Sequence, residues 1–313
     1  GFTFVWKHVE CNCFIRFRAI YGQKPSKRTA RFDVEFWTGI FSAKDFVRMV
    51  REFQNKEYWA LILGGSSGLG LATAKKLAKH GMNICVVHRN SRAQKEEIES
   101  HFDEIRKENI EFFSFNIDAL NAEKREKVLS EIKEKLGTKG TIKTLVHSIA
   151  KGNLKPMFSD EHSVLQNDDF QITINAMAIS LYDWFKAIFD KKLFADDARV
   201  LSFTSEGNTK PWRNYAAVSA AKVTLEAISR NIALEFAPFG IRANCIQAGV
   251  TNTASLNMIP DSETIKGHTL KRNPFGKLTT PEDVANVVYL LSKEEASWIN
   301  GTILKVDGGE SLN

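Results

Sequence analysis

The chain has 313 residues, of which 43% are hydrophobic and 26% charged, with four cysteines and a net charge of +6. These are globular proportions, in a chain long enough for one large domain or two small ones. Four cysteines are too few for a disulfide framework, and no apolar run reaches the roughly 18 to 20 residues that a membrane crossing needs.

The excess charge is local. Residues 1–31 carry seven basic residues (Lys7, Arg16, Arg18, Lys24, Lys27, Arg28, Arg31) against Glu10, a net of +6, so the remaining chain is balanced. The basic balance therefore gives no reason to assign nucleic-acid binding to the main body. Residues 2–21 are aromatic and β-branched and read as one or two strands. They are Arg-rich and acid-poor like an organelle-targeting segment, yet the first 25 residues hold no serine. Residues 22–31 read as a polar linker. Cys11 and Cys13, with His8, have half of a metal-site spacing, but no second Cys/His pair completes it and no metal is expected. Cys85 and Cys245 sit in apolar runs and read as core residues, which fits a reducing cytoplasm. Ser42–Lys56 is predicted as a helix capped by Ser42, with Phe46, Val47, Val50 and Phe53 on one face. The chain is thus divided into an extension, 1–57, and a main domain, 58–313.

From residue 58 strands and helices alternate. Strands are predicted near 59–63, 83–88, 111–116, 143–147, 199–203, 241–247 and 302–306. Helices are predicted near 69–80, 92–107, 121–136, 170–190, 214–237 and 281–292. This alternation gives a doubly wound α/β fold of Rossmann type, a parallel sheet with helices on both faces and right-handed crossovers.

The first unit organises the rest. The apolar run Trp59–Leu63 ends in Gly64-Gly65-Ser66-Ser67-Gly68-Leu69-Gly70, and a helix-forming segment follows at once. Glycines permit a tight turn and a close approach to a phosphate, and the helix start offers free N–H groups and a positive dipole end. A dinucleotide pyrophosphate is the expected ligand. Gly64, Ser66 and Gly68 also match the nucleophile elbow of hydrolases. That elbow normally follows several strands, whereas this strand opens the pattern.

The second strand ends His88-Arg89-Asn90, where a NAD site usually has an acidic residue for the ribose 2′-hydroxyl. A cation beside hydrogen-bond donors suits a 2′-phosphate, so NADP(H) is favoured and NAD(H) remains open. Asn116 and Ile117 end the third strand, a rim for adenine. His147, Ser148, Ile149 and Ala150 end the fourth, where small residues leave room for a cofactor. His147 alone reads more readily as a structural histidine than as a catalyst.

These residues together resemble the short-chain dehydrogenase/reductase family over about 58–313. The family's Thr-Gly-x-x-x-Gly-x-Gly stands here as Leu63 to Gly70, with Leu for Thr. Gly240-Ile241-Arg242-Ala243-Asn244 and Val306-Asp307-Gly308-Gly309 also resemble it. The family's Tyr-x-x-x-Lys has one literal match, Tyr182 to Lys186, but that lies before the fifth strand and the family's tyrosine follows it. After that strand come Tyr215 and Lys222, spaced Tyr-x6-Lys, with Val218 at the usual tyrosine position. This spacing, the Val146–Ala150 run and Ala248-Gly249 resemble the enoyl-acyl-carrier-protein reductase branch. Seven residues are about two helical turns, so the pair shares a face, roughly 10 Å apart along the axis, and Lys222 can lean back toward the helix start.

The resemblance implies reduction of a trans-2-enoyl thioester in fatty-acid synthesis. NADPH gives hydride to the β-carbon, Tyr215 hydrogen-bonds the enolate oxygen, and Lys222 holds the ribose and lowers the tyrosine pKa. It also implies that Gly249, Val250, Thr251 and Thr253 contact the nicotinamide amide and the phosphates. Two positions depart from the branch. Ser205 stands where many enoyl reductases carry a second tyrosine, and Asn175 matches an asparagine that general family members use in a proton relay. Both favour the alternative, a carbonyl or 3-oxoacyl reductase. A cofactor-binding regulator with little catalysis is the reading outside enzymes. Residues 254–280 read as a substrate lid with Leu256, Met258, Ile259, Ile265 and Leu270 for an acyl chain. Lys151, Lys155, Lys210, Arg213, Lys271 and Arg272 could meet an acidic acyl carrier protein. A homo-oligomer, tetramer or dimer, is the family default.

Overall fold

The computed structural model describes residues 18–19, 32–33, 50–259 and 261–313. The chain divides into two compact units, Gly1–Met49 and Val50–Asn313. In the first, β1 (Arg18–Ala19) pairs antiparallel with β2 (Phe32–Asp33). The rest of the strand-like stretch 2–21, the Cys11/Cys13/His8 group and residues 42–49 lie outside the described residues. The helix predicted to run to Lys56 is not there in its described part. Residues 52–57 form turns, because Asn55 and Glu57 take φ of 61° and 53°, which a right-handed helix does not tolerate. Phe53 is nonetheless buried.

The second unit is a seven-stranded parallel sheet. Its strands are β3 (Tyr58–Leu63), β4 (Asn83–His88), β5 (Phe112–Asn116), β6 (Thr141–His147), β7 (Phe194–Ser205), β8 (Ile241–Ala248) and β9 (Ile303–Val306), in the order β5-β4-β3-β6-β7-β8-β9. The order reverses at β3, between β4 and β6. In a doubly wound sheet that reversal opens a crevice at the carboxyl ends of the strands.

Alternation along each strand builds the two layers. Trp59, Leu61 and Leu63 of β3 face one way, with Cys85 and Val87 of β4. They pack on α3 (Ala122–Leu136), α5 (Ser180–Asp190) and α6 (Ala216–Glu235) through Leu129, Trp184 and Leu225 among others. Ala60 and Ile62 face the other way and pack on α1 (Gly68–Lys79), α2 (Lys95–Arg106) and α9 (Pro281–Ser292) through Leu77, Phe102 and Val288. Strands covered on both faces are apolar almost throughout, which is why the sequence marks them so clearly. No described helix is long and apolar enough to cross a membrane.

The helix predicted over 170–190 is interrupted. It comprises α4 (Asn167–Ile174), a π-turn at Asn175–Ile179, and α5. The strand predicted over 199–203 starts five residues earlier, at Phe194. Its early part is held at Asp197, on which Lys143 of β6, Arg242 of β8 and Arg199 of β7 itself converge. The lid segment holds α7 (Ala254–Asn257) and α8 (Ser262–Arg272).

Candidate active site

The turn between β3 and α1 is made of backbone. Gly64 and Gly68 take φ of 85° and 53°, a region that side chains oppose. A Cβ on Gly70 would stand 2.2 Å from the Gly64 carbonyl, and one on Gly64 would stand 2.6 Å from the Ser148 carbonyl. Ser67, at the N-cap of α1, makes no capping bond, and the first turn has no acidic residue. By contrast Asn121 accepts from the Lys124 amide on α3 and Thr280 from the Asp283 amide on α9, while α2 and α8, which also lack such a bond, carry acidic residues in their first turns. The start of α1 is therefore left with bare N–H groups and an uncompensated dipole, which fits an anion. A Cβ on Gly68 would meet only Thr253, at 3.6 Å, so Thr253 faces this turn. These donors fit a dinucleotide pyrophosphate. Leu69 is half-buried and Ser66 is buried within the turn, a poor position for a nucleophile.

At the next strand ends, His88 is buried against Phe102, and its Nδ1 lies 2.8 Å from Asn90 Oδ1. Burial pushes its pKa down, against the Asn90 bond. The Asn90 amide donates to Asn116 Oδ1, and Asn116 Nδ2 donates back to the Asn90 carbonyl, at 3.0 and 3.1 Å. The Ile117 amide donates to the His88 carbonyl at 2.8 Å. Arg89 is exposed and pairs with Asp118 at 2.9 Å. The stretch 88–90 is thus locked to 116–118, with the guanidinium in solvent at the crevice rim.

His147 is the clearest departure from the predicted cofactor set. Its ring is 1% exposed and lies 2.8 Å from Ser180 Oγ, whose hydroxyl donates to the Ala176 carbonyl. Burial, then the nearby Lys222, push its pKa down to about 3. A ring so enclosed braces β6 against Ser180 at the start of α5, and its side chain is shut off from solvent. Ser148, whose amide donates to the Leu63 carbonyl, meets the glycine turn, with Ile149 half-buried and Ala150 exposed beyond it.

Ser205 ends β7, and Tyr215 is the last residue before α6. Ten residues apart in sequence, their hydroxyls lie 3.3 Å apart. Burial raises the Tyr215 pKa, against the Ser205 bond. The lowering of the tyrosine expected from Lys222 does not occur, because Lys222 is turned elsewhere. Its Nζ donates to the Phe203 carbonyl at 2.6 Å, and burial brings its pKa down to about 8. Asn175 opens the π-turn and is exposed. Such turns break the regular ladder of backbone bonds and are frequent at functional sites.

Gly249 has no space for a Cβ, which would stand 2.4 Å from Thr279 Oγ1. The Val250 amide is already bonded to Glu310 Oε2, and the Thr251 hydroxyl to the Gly249 carbonyl. Thr253 caps α7, accepting from the Leu256 amide. In the lid Leu256 is buried, Ile259 and Ile265 are half-buried, and Met258 and Leu270 are exposed. Of the six basic residues predicted to meet a carrier, three are tied down within the chain. Lys155 pairs with Asp169, while Lys210 and Arg272 both pair with Glu206. Lys151, Arg213 and Lys271 are exposed.

Three site features escaped the sequence. Glu226 is buried and accepts from Thr204 and Asn208, on either side of the Ser205 turn. Glu206 takes Arg272 of α8. Gly207 lies against the Tyr215 ring, where a Cβ would come within 2.4 Å of it. The only sequence signal was the Lys222/Glu226 spacing of four on one helix face.

Residues 64–311 match the family described as enoyl-(acyl carrier protein) reductase. The chain is 26% identical over 252 residues to the 3-oxoacyl-[acyl-carrier-protein] reductase FabG of Chlamydia muridarum, covering 80% of this chain and 96% of that protein. It is 30% identical over 254 residues to the 2,5-dichloro-2,5-cyclohexadiene-1,4-diol dehydrogenase LinX of Sphingobium indicum, covering 81% and 96%. The enoyl-[acyl-carrier-protein] reductase (NADH) structure from Aquifex aeolicus superposes with a TM-score of 0.71 at 24% identity, covering 83% and 98%.

Proposed function

The chain belongs to the short-chain dehydrogenase/reductase family, and from that premise we propose that this oxidoreductase reduces the C=C bond of trans-2-enoyl thioesters, with NADPH as the favoured reductant. The observation that carries the reading is Tyr215. Its hydroxyl sits seven residues before Lys222 and 3.3 Å from Ser205 Oγ, at the crevice end of β7. The match of residues 64–311 to the enoyl reductase family supports it.

The reduced nicotinamide, when bound, supplies the hydride. Gly64, Gly68 and Gly70 admit its pyrophosphate to the bare start of α1, and Arg89 suits a 2′-phosphate. Tyr215 then donates a hydrogen bond to the thioester oxygen as negative charge develops there. A tyrosine whose pKa is raised stays protonated and can act as such a donor across the working pH range. Ser205 orients the Tyr215 hydroxyl or donates to the same oxygen. Lys222, charged below pH about 8, adds a positive field behind them. The lid residues Leu256, Ile259 and Ile265 suit an acyl chain, and exposed Lys151, Arg213 and Lys271 suit an acidic carrier. Exposed Ile172 on α4, Ile179 in the π-turn and Tyr182 on α5 suit contact with a second copy. The absence of a long apolar helix among the described residues is compatible with the cytoplasm.

A second reading, reduction of a C=O bond, is favoured by the Ser205 hydroxyl beside Tyr215, by exposed Asn175 and by the likeness to FabG. The test of the site is Tyr215→Phe. Removing one donor to a developing oxyanion costs about 10²- to 10³-fold in kcat, and NADPH binding should stay near wild type. An unchanged kcat with crotonyl-CoA would remove Tyr215 from the chemistry.

A further inference from the structure

Glu226 is a buried carboxylate that the chemistry above does not use. It lies 6% exposed on the inner face of α6, one turn beyond Lys222. Its Oε1 accepts from Thr204 Oγ1 and from Asn208 Nδ2, both at 2.5 Å. Those two partners flank the Ser205-Glu206-Gly207 turn, whose Gly207 supports the Tyr215 ring. One carboxylate therefore touches both ends of the turn that carries one catalytic hydroxyl and packs against the other.

Burying an ionised carboxylate and an ionised amine is costly unless each has partners. Lys222 donates a hydrogen bond to the Phe203 carbonyl, and that neutral group cannot balance its charge. The titratable groups facing Lys222 are Glu226 on its own helix, Cys245 on β8 and His147 on β6. Burial raises the Cys245 thiol, so it carries no charge near neutrality. Burial keeps His147 neutral as well. Among the described residues facing it, that leaves the Glu226 carboxylate, one helical turn along the same buried face, to balance the lysine. The groups facing Glu226 itself are Thr204, Asn208, Lys222 and Cys245.

We propose that Glu226 is a positioning residue with two tasks, which are to pin the Ser205–Gly207 turn against Tyr215 and to keep Lys222 charged inside the protein. The proposal rests on the active-site reading above for what the two groups do, but the placement and its electrostatic consequence do not depend on which bond is reduced. The sign follows from the geometry. An opposite charge favours the protonated amine, so removing it lowers the pH at which Lys222 loses its proton. Glu226→Gln keeps the acceptor oxygen for Thr204 and Asn208 and removes only the charge.

The experiment is an NMR titration of the Lys222 amine in the full-length, cofactor-free protein, assigned with Lys222→Met, for wild type, Glu226→Gln and Glu226→Asp. The wild-type midpoint is expected near pH 8. Glu226→Gln should lower it by about one unit, a tenfold loss of proton affinity, and the basic limb of NADPH binding should move with it. Glu226→Asp keeps the charge and should restore the midpoint. Asn208→Ala separates the two tasks, and should leave the Lys222 midpoint in place while lowering kcat several-fold in whichever nicotinamide-linked reduction the wild type performs, at unchanged cofactor KM. An unmoved midpoint in folded Glu226→Gln would overturn the electrostatic role, and an unchanged kcat in Asn208→Ala would overturn the pinning role. If crotonyl-CoA proves not to be a substrate, the enoyl reading fails while the titration still decides for or against Glu226.

Discussion

The turn after β3 and the turn after β7 both lead from a sheet strand toward a helix at the same crevice, yet they are built from different material. The first is backbone against backbone. Gly64, Gly70 and the Ser148 carbonyl meet so closely that no side chain fits, and the helix start is left uncapped. The second is held by side chains drawn from far along the chain, with Glu226 below it, Arg272 across from it and Tyr215 laid on Gly207. A turn defined by the absence of side chains can receive a ligand that offers only charge. A turn defined by side-chain contacts can hold two hydroxyls in a fixed relation. In the proposed function, binding falls to the first turn and chemistry to the second.

That contrast can be broken at either end. The largest effect is expected at the first turn. Gly70→Ala puts a Cβ 2.2 Å from the Gly64 carbonyl, where neither backbone can yield cheaply. Overpacking of this kind costs about 1–3 kcal/mol of stability. NADPH affinity should fall by tenfold or more, read by fluorescence titration, with thermal denaturation as the companion measurement. Affinity equal to wild type would mean that the turn does not shape the cofactor site. A smaller effect is expected at the second turn. Gly207→Ala puts a Cβ 2.4 Å from the edge of the Tyr215 ring, and a ring can swing aside. Stability should change little, NADPH affinity should hold, and kcat should fall about tenfold as the Tyr215 hydroxyl leaves Ser205, which at 1.4 kcal/mol per decade is on the order of one hydrogen bond. A loss of affinity without a loss of kcat would reverse the division drawn here.

The same contrast explains what the sequence made legible. Apolar strands covered on both faces announce themselves, so all seven were located, and the glycine spacing marked the first turn because its geometry is local. Tyr215 and Lys222 were singled out by their spacing; in the fold Tyr215 meets Ser205, while Lys222 turns to the Phe203 carbonyl. His147 was carried into the cofactor set by its position at a strand end, but its partner Ser180 is 33 residues away, and nothing local says that the ring points inward. The helix ending at Lys56 failed on Asn55 and Glu57, whose positive φ values satisfy the approach to β3 and leave no mark in the hydrophobic pattern. Three of the six lysines and arginines assigned to a carrier proved to be paired within the chain, and such pairing is a property of tertiary contacts. Glu226 and Glu206 were missed for the same reason.

The central claim is that the pair of hydroxyls on Ser205 and Tyr215 serves an enoyl thioester. It is tested most directly by following NADPH oxidation with crotonyl-CoA and, separately, with acetoacetyl-CoA, each repeated with NADH. Oxidation is expected with crotonyl-CoA, faster with NADPH than with NADH, and little with acetoacetyl-CoA. Oxidation with acetoacetyl-CoA alone would contradict it, and would make Asn175 and Ser205 better guides to the reaction than the seven-residue spacing of Tyr215 and Lys222.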